Sequence, residues 1–177
     1  MNSVPVAVVE PAYAACYEEY APRGRRYAYA LLRNQADSEE IVQEAFCRLM
    51  RSQHDPHAMN GAFAPLFFTT VRNLCIDAQR TRVRRRQVPL TGPIASRGTE
   101  PRDNEELVSA IQQAMAALPP SWAEALQLRL NGELSYEQIA TVLDCTHAQV
   151  RTWIYRARRQ LAETFRAQGY LPKDEKS

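Results

Sequence analysis

The chain has 177 residues, of which 45% are hydrophobic and 24% are charged, and this ordinary globular composition excludes wholesale disorder. Its 22 basic and 20 acidic side chains leave a net charge of only +2, so the total charge identifies no partner. The apolar stretch 4–9 is too short to cross a bilayer and lacks the long apolar core of a secretory signal. We therefore expect a soluble, cytoplasmic protein with no membrane insertion.

The distribution of charge along the chain is more informative than its sum. Residues 72–86 contain six arginines and one acid, and residues 147–166 contain five arginines and one acid. Residues 37–44, in contrast, contain four acids and no base. This pattern predicts two surfaces that face a polyanion and one surface that faces a basic partner.

The cysteines and histidines favour neither a disulfide framework nor a metal site. The four cysteines are widely scattered and form no C-x-x-C: Cys16, Cys47, Cys75 and Cys145. Cys47 with His54 and His57 has no familiar metal-ligand spacing, and Cys145 with His147 has none either. We expect reduced, partly buried thiols, no metal and no cofactor.

The first predicted module spans residues 10–86 and opens with a helical stretch at about 12–32. This stretch is rich in Tyr and Ala and contains Pro22. Because proline lacks a backbone donor and its ring clashes with the preceding turn, Pro22 should break or kink the helix.

A second helix is predicted from Asp37 to Arg51. Asp37 and Glu40 are spaced as an N-cap pair. The apolar residues of this helix recur at helical spacing and form one stripe: Ile41, Val42, Ala45, Phe46, Leu49 and Met50. No histidine, Gly-rich loop or second acidic cluster accompanies the acids, so acid–base or metal chemistry is not supported.

The end of this module predicts a loop and a basic helix. Residues 54–64 contain Pro56 and Gly61 and are predicted to be a loop, after which Pro65 suits the first turn of a helix reaching Arg84. Aromatic residues near arginines suit single-stranded or melted nucleic acid. A helix packed in the core, with a solubilising basic tail, explains the same spacing.

Residues 87–103 contain three prolines and two glycines without an apolar period, which predicts a linker before a second module at 104–167. Four helical runs are predicted there, at about 104–117, 121–130, 135–143 and 146–165. Three of them begin with capping-box patterns: Ser121 with Glu124, Ser135 with Gln138, and Thr146 with Gln149.

Residues 135–156 carry the strongest single signal, because two short amphipathic helices flank a tight turn at 144–146, as in a helix-turn-helix. The apolar stripe of the second helix leaves these residues on its outer faces: Gln149, Arg151, Thr152, Tyr155, Arg156, Arg158 and Arg159. Such a face can read base edges in the major groove. A helical hairpin with a solvated basic face is the alternative, and Gln149 can instead serve the cap at Thr146.

Five motifs occur together in this order: DSEEIVQEAF (37–46), VRNLCID (71–77) followed by arginines, LP (118–119), YEQIA (136–140) and VRTWIYRAR (150–158). In this combination the chain resembles bacterial RNA polymerase sigma factors of the sigma-70 family, in the extracytoplasmic-function (ECF) group. The sequence departs from the usual pattern at Ser38, at Leu66 and at the recognition turn around Cys145. These departures concern promoter sequence rather than family.

The resemblance implies an all-α fold with two small helical domains, region 2 (10–86) and region 4 (104–167), joined by a flexible linker. It implies a non-enzymatic factor that binds core RNA polymerase and directs promoter-specific transcription initiation. The implied partners are the β′ coiled coil and β flap of core RNA polymerase and the −10 and −35 elements of promoter DNA. An anti-sigma factor is a further partner that the resemblance allows.

The resemblance also implies roles for individual residues. Polymerase contacts would come from Asp37, Glu40, Ile41, Gln43, Glu44 and Phe46. The loop 54–64 would capture a flipped −10 base, and these residues would contact DNA near it: Asn73, Asp77, Arg80, Arg82, Arg84 and Arg85. Contacts at the −35 element would come from Gln149, Arg151, Thr152, Tyr155, Arg156 and Arg158. No catalytic residue is implied.

Three other functions remain open on the residues alone. A stand-alone helix-turn-helix regulator would bind duplex DNA without polymerase, usually as a dimer, but no heptad is present and the first module would have no role. A protein-interaction module would tolerate neutralisation of the arginines at 82–86. A nucleic-acid enzyme would need a catalytic cluster, which the sequence does not contain.

Overall fold

The computed structural model describes residues 10–52, 61–86 and 105–172, and within these ranges the chain forms seven α-helices. They are α1 (Glu10–Leu32), α2 (Gln35–Arg51), α3 (Phe63–Arg86), α4 (Glu105–Ala116), α5 (Pro120–Leu130), α6 (Tyr136–Leu143) and α7 (His147–Ala167). The predicted linker and most of the predicted loop 54–64 lie outside the described residues. The predicted C-terminal boundary of this loop is wrong, because Phe63 and Ala64 belong to α3 and are buried.

The first module is built around aromatic rings from α1, α2 and α3. Phe67 is fully buried, and its ring centroid lies 4.7 Å from that of Phe46 and 5.2 Å from that of Phe68. Gly24 allows this packing, since a Cβ there would lie 2.8 Å from Cζ of Phe67. The three helices therefore close on one ring cluster.

Of the two predicted effects of Pro22, the break is wrong, because α1 runs through the proline and is 23 residues long in all. Ala21, next to the proline, is buried, and so are Tyr27 and Ala28, further along the same helix. An amphipathic helix draws most of its stability from such packing rather than from local propensity. Burial on this face therefore outweighs the hydrogen bond that Pro22 removes.

The predicted N-cap of α2 is also wrong, because the helix begins at Gln35, two residues before Asp37. Asn34 is the N-cap, and its side-chain oxygen accepts a hydrogen bond from the backbone N–H of Asp37 at 3.1 Å. Ser38 donates to the Asn34 carbonyl at 2.6 Å. The Asp37 carboxylate is thereby left to approach Arg82, 3.7 Å away.

Two of the three predicted capping boxes form. Those at Ser135 and Thr146 have both reciprocal hydrogen bonds. Asp144 ends α6 in the left-handed region, with φ of 50°, and produces the predicted tight turn. The prediction at Ser121 is wrong: Pro119 precedes α5 without a side-chain cap, and Glu124 is directed toward the first module.

The two modules pack against each other, with α3 against α6 and α1 against α5. Their buried apolar residues form one continuous cluster that runs from Tyr13 to Ala157. Gly132, in the turn after α5, lies so close to α3 that an added Cβ would be 3.1 Å from Cε1 of Phe68. A core shared by both modules therefore holds the described residues in a closed arrangement.

Two arginines of the first module form the polar edge of this contact. Arg23 donates from Nε and Nη2 to the carbonyl oxygen of Gly132, at 2.9 and 2.6 Å. Arg72 donates to the two carboxylate oxygens of Glu124, at 2.6 and 3.1 Å. We define these four residues as the inter-module clasp.

Candidate DNA-binding and polymerase-binding surfaces

The acidic surface of α2 has a polar outer side and a buried inner side. Of the residues predicted to bind polymerase, Glu40 and Gln43 are exposed and line an open shallow groove, and Asp37 and Glu44 are half-buried. Ile41 and Phe46, with 8% and 4% of their surface exposed, face the core. Four of the six can therefore touch a partner directly, and the other two support the helix from beneath.

The carboxylate of Glu44 is held by its own helix. Arg48 donates to Glu44 Oε1 at 2.7 Å, and this hydrogen bond lowers the pKa of the Glu44 carboxyl. The carboxylate form, which a basic partner would recognise, is therefore the favoured form. Glu39 adds an ion pair to Arg25 at 3.4 Å on the α1 side of the same surface.

The basic end of α3 presents most of its predicted DNA-binding side chains to solvent. Asn73, Asp77, Arg80 and Arg84 are exposed. The exposed Arg82 also donates to the Leu32 carbonyl at 3.0 Å, which ties α3 to the end of α1. The predicted contact Arg85 belongs to α3, but its side chain lies outside the described residues.

The outer face of α7 carries the residues predicted for the −35 element. Arg151, Thr152, Arg156 and Arg158 are exposed, and the exposed fraction of Tyr155 is 64%. The inner face of α7 is apolar: Val150, Ile154 and Ala157 are buried, and Trp153 packs on the core. The exposed face of α7 is therefore presented by a helix that is held in place by apolar packing on its other side.

Gln149 differs from the other predicted contacts on α7, because its side chain is used locally. Its Oε1 accepts hydrogen bonds from the backbone N–H and from the hydroxyl of Thr146, both at 2.9 Å. This is the capping role that the sequence left open as an alternative. An adenine contact that uses both Oε1 and Nε2 of Gln149 would therefore compete with the capping box.

Trp122, at the start of α5, is a residue that the sequence did not single out. Its ring lies under the guanidinium of Arg156, with 5.7 Å between Cζ and the ring centroid. An open cavity beside the pair is lined by Trp122, Tyr155, Arg156 and Arg159. Periodicity could not have found this contact, since it joins two helices whose relative placement depends on the tertiary fold.

Three of the four cysteine thiols are buried or half-buried, whereas Cys47 is exposed. Burial raises the pKa of the Cys75 thiol to about 12, and it also raises the pKa of Cys16 and Cys145. No group of three or more His, Cys, Asp or Glu side chains in the described part of the chain could hold a metal ion. The candidates His54 and His57 lie outside it. No helix within the described ranges is long and apolar enough to cross a membrane.

Two family models match the chain in tandem. The model of Sigma-70 region 2 matches residues 16–85, and the model of Sigma-70, region 4 matches residues 109–161. The first match covers most of α1 and α3 and all of α2, and the second runs from within α4 into α7. The class of protein that the fold and its surfaces define is therefore that of the sigma-70 factors.

Curated relatives identify the group within that class. The ECF RNA polymerase sigma factor SigL of Mycobacterium tuberculosis H37Rv is 30% identical over 164 residues, which cover 88% of this chain and 89% of that protein. SigE of Mycolicibacterium smegmatis, also an ECF RNA polymerase sigma factor, is 31% identical over 159 residues, and the match covers 86% of this chain and 61% of SigE. The chain belongs to the ECF sigma factors of the sigma-70 family, as its five motifs predict.

Solved structures show the same fold. The sigma factor RpoE from Bartonella quintana, in complex with the anti-sigma factor NepR, matches with a TM-score of 0.67 and 24% identity over 87% of this chain and 96% of that one. CnrH, in complex with the cytosolic domain of CnrY, matches with a TM-score of 0.64 and 18% identity over 88% of each chain. The predicted all-α fold class is confirmed.

Proposed function

We propose that this sigma factor binds core RNA polymerase through the outer side of α2 and brings the enzyme to promoters through α3 and α7. The observation that carries the proposal is the capped helix α7, which presents exposed Arg151, Thr152 and Tyr155 near its N-terminus. Recognition helices use this end to contact base edges. The matched region 4 model supports the same assignment.

The polymerase contact is assigned to Asp37, Glu40, Gln43 and Glu44. These side chains form a negatively charged patch on one helix, which suits a basic surface such as the β′ coiled coil. Their position on the matched region 2 model supports this assignment. Ile41 and Phe46 contribute by keeping α2 packed on the module core.

The −10 contact is assigned to the exposed face of α3. Asn73 and Asp77 lie one turn apart and precede Arg80 and Arg84 on the same helix. The arginines would hold the phosphate backbone, and the polar pair would face the melted strand. We propose no catalytic step for this protein: melting would be driven by binding free energy alone.

The β flap contact is assigned to the second module. Since α7 turns its basic face to DNA, another exposed surface must receive the polymerase. Leu107, Val108 and Ile111 of α4 are each at least 39% exposed, and they form an apolar surface suited to protein contact. An anti-sigma factor is a further proposed partner, and we place the whole cycle in the cytoplasm, where polymerase and promoter DNA are.

Removing the polar side chains of the α2 surface is expected to abolish polymerase binding. The triple variant Glu40→Ala, Gln43→Ala, Glu44→Ala removes two carboxylates and one amide from an outward-facing surface without touching the core. The wild type should co-elute with purified bacterial core RNA polymerase in size-exclusion chromatography, and the variant should elute alone.

A matched control variant makes the same chemical change outside the α2 surface. Glu18→Ala, Glu163→Ala, Gln168→Ala also removes two carboxylates and one amide from exposed positions, and this variant should still co-elute. The polymerase assignment is wrong if the α2 variant co-elutes as well. If the wild type binds duplex DNA but not core polymerase, a stand-alone helix-turn-helix regulator becomes the better explanation.

Arg151→Ala is expected to relax promoter choice. An arginine that contacts guanine through both nitrogens contributes about 1–3 kcal/mol of discrimination against the wrong base. Transcription by the reconstituted holoenzyme on matched and mutated promoters measures this loss. In comparison, Arg84→Ala should weaken binding to all sequences equally and reduce the salt slope by about one. Unchanged promoter choice and strength in Arg151→Ala would contradict the base-reading role.

A further inference from the structure

The contact between Trp122 and Arg156 joins two helices at the edge of the recognition surface. Trp122 belongs to α5 and is half-buried against the core, whereas Arg156 is exposed on α7. The guanidinium lies 5.7 Å from the ring centroid, within the distance at which a cation is attracted to an indole face. The core therefore fixes the ring, and the ring restrains the arginine.

Arg156 has no acidic partner that would otherwise explain its position. Among the described residues no carboxylate forms an ion pair with it, although the neighbouring Arg159 is paired with Glu163 at 3.1 Å. The cavity beside Trp122 is open to solvent and is lined by Tyr155, by both arginines and by Glu163. Because Glu163 pairs with Arg159, Arg156 is the guanidinium of the two that has no acidic partner and is left for an anion.

The position of Arg156 along α7 distinguishes it from the base-reading residues. It follows the N-cap Thr146 by ten residues, which corresponds to about 15 Å of helix. The major groove is about 12 Å wide, so a helix that inserts its N-terminus brings Arg156 to the edge of the groove. The groups found at that edge are backbone phosphates.

We propose that Trp122 is a positioning residue for DNA binding, which holds the Arg156 guanidinium ready for a phosphate at the edge of the −35 major groove. This inference rests on the proposed function and adds α5 to the DNA-binding surface. An arginine loses rotamer freedom when it docks on a phosphate. Stacking on a fixed ring removes part of that freedom beforehand, so less is lost on binding.

The test uses the reconstituted holoenzyme and a promoter fragment that the wild-type holoenzyme selects from genomic DNA. Affinity is measured at several salt concentrations for Trp122→Leu, Trp122→Phe, Arg156→Ala and the double variant Trp122→Leu with Arg156→Ala. Trp122→Leu should lose about 3- to 10-fold in affinity and reduce the salt slope by up to about one. Trp122→Phe should recover part of the loss, since it keeps an aromatic face.

The double variant separates positioning from folding. If Trp122 acts through Arg156, Trp122→Leu should cost little more once Arg156 is alanine. An equal loss in both backgrounds, or an unchanged salt slope in Trp122→Leu, would overturn the inference and leave Trp122 as a packing residue. Failure of the wild-type holoenzyme to select any fragment would overturn the proposed function, and the inference with it.

Discussion

Phe67→Ala is expected to destabilise the protein by about 3–5 kcal/mol, the usual cost of truncating a buried phenylalanine. Phe67 has none of its surface exposed, and its ring touches those of Phe46, Phe63 and Phe68. Alanine would leave a cavity between three helices, because the rings around it are held by their own neighbours. Domains are stable by only about 5–15 kcal/mol, so this loss would bring the protein close to unfolding at physiological temperature.

Urea denaturation followed by far-ultraviolet circular dichroism measures the change. Tyr29→Ala is the matched control, since Tyr29 is an aromatic residue of the same module with 47% of its surface exposed. Surface substitutions usually change stability by about 0.5 kcal/mol or less. If Phe67→Ala costs no more than Tyr29→Ala, the ring cluster is not the centre of the module.

Glu124→Ala is expected to shift the protein from the closed arrangement toward separated modules. The Arg72 and Glu124 side chains keep 28% and 21% of their surface exposed, so their ion pair is largely shielded. The hydrogen bond that Arg72 donates to the Glu124 carboxylate raises the pKa of Arg72. Hydrogen bonds to charged groups contribute about 1.5–3 kcal/mol, and partial exposure places this pair near the lower value. The ratio of closed to open molecules should therefore fall about tenfold.

Small-angle X-ray scattering of the free protein measures this shift as an increase in the radius of gyration, while circular dichroism should show unchanged helix content. Glu163→Ala is the control, because its partner Arg159 belongs to the same helix. An unchanged radius of gyration for Glu124→Ala would show that the clasp contributes little to the closed arrangement.

The closed arrangement matters because promoter elements are far apart. The names of the −10 and −35 elements place them about 25 base pairs apart, which is about 85 Å at 3.4 Å per base pair. Modules that share one core cannot reach both elements at once. A variant with a weakened clasp should therefore assemble with polymerase and promoter more readily than the wild type.

Local signals in the sequence predicted local structure well. Each capping box at Ser135 and Thr146 involves residues three positions apart, so nothing distant needs to be known. The same pattern at Ser121 gave a wrong prediction, because Glu124 is bound instead by Arg72, which lies 52 residues away in the sequence. The hydrogen bond that captures Glu124 crosses between modules, and single-sequence reasoning cannot see it.

In the candidate site, too, local features could be predicted from the sequence and contacts between distant residues could not. The charges of α2 and α7 were predicted from composition, and their outward direction followed from the apolar stripes. The burial of Ile41 and Phe46 also follows from the apolar stripe of α2. They were nevertheless predicted to bind polymerase, because they belong to the motif that carries the resemblance. Trp122 was missed because its neighbour Arg156 is brought to it only by the packing of α5 against α7.

The clasp has a consequence for synthesis of the chain on the ribosome. Arg23 and its acceptor Gly132 are separated by 109 residues, which take about 5–20 s to add at 5–20 residues per second. During that interval the first module has been made, but the surface that covers part of Phe68 does not yet exist. Arg23 and Arg72 border this face, and their charges discourage its association with other nascent chains. The residues that later close the molecule thus also protect it before its second half has been made.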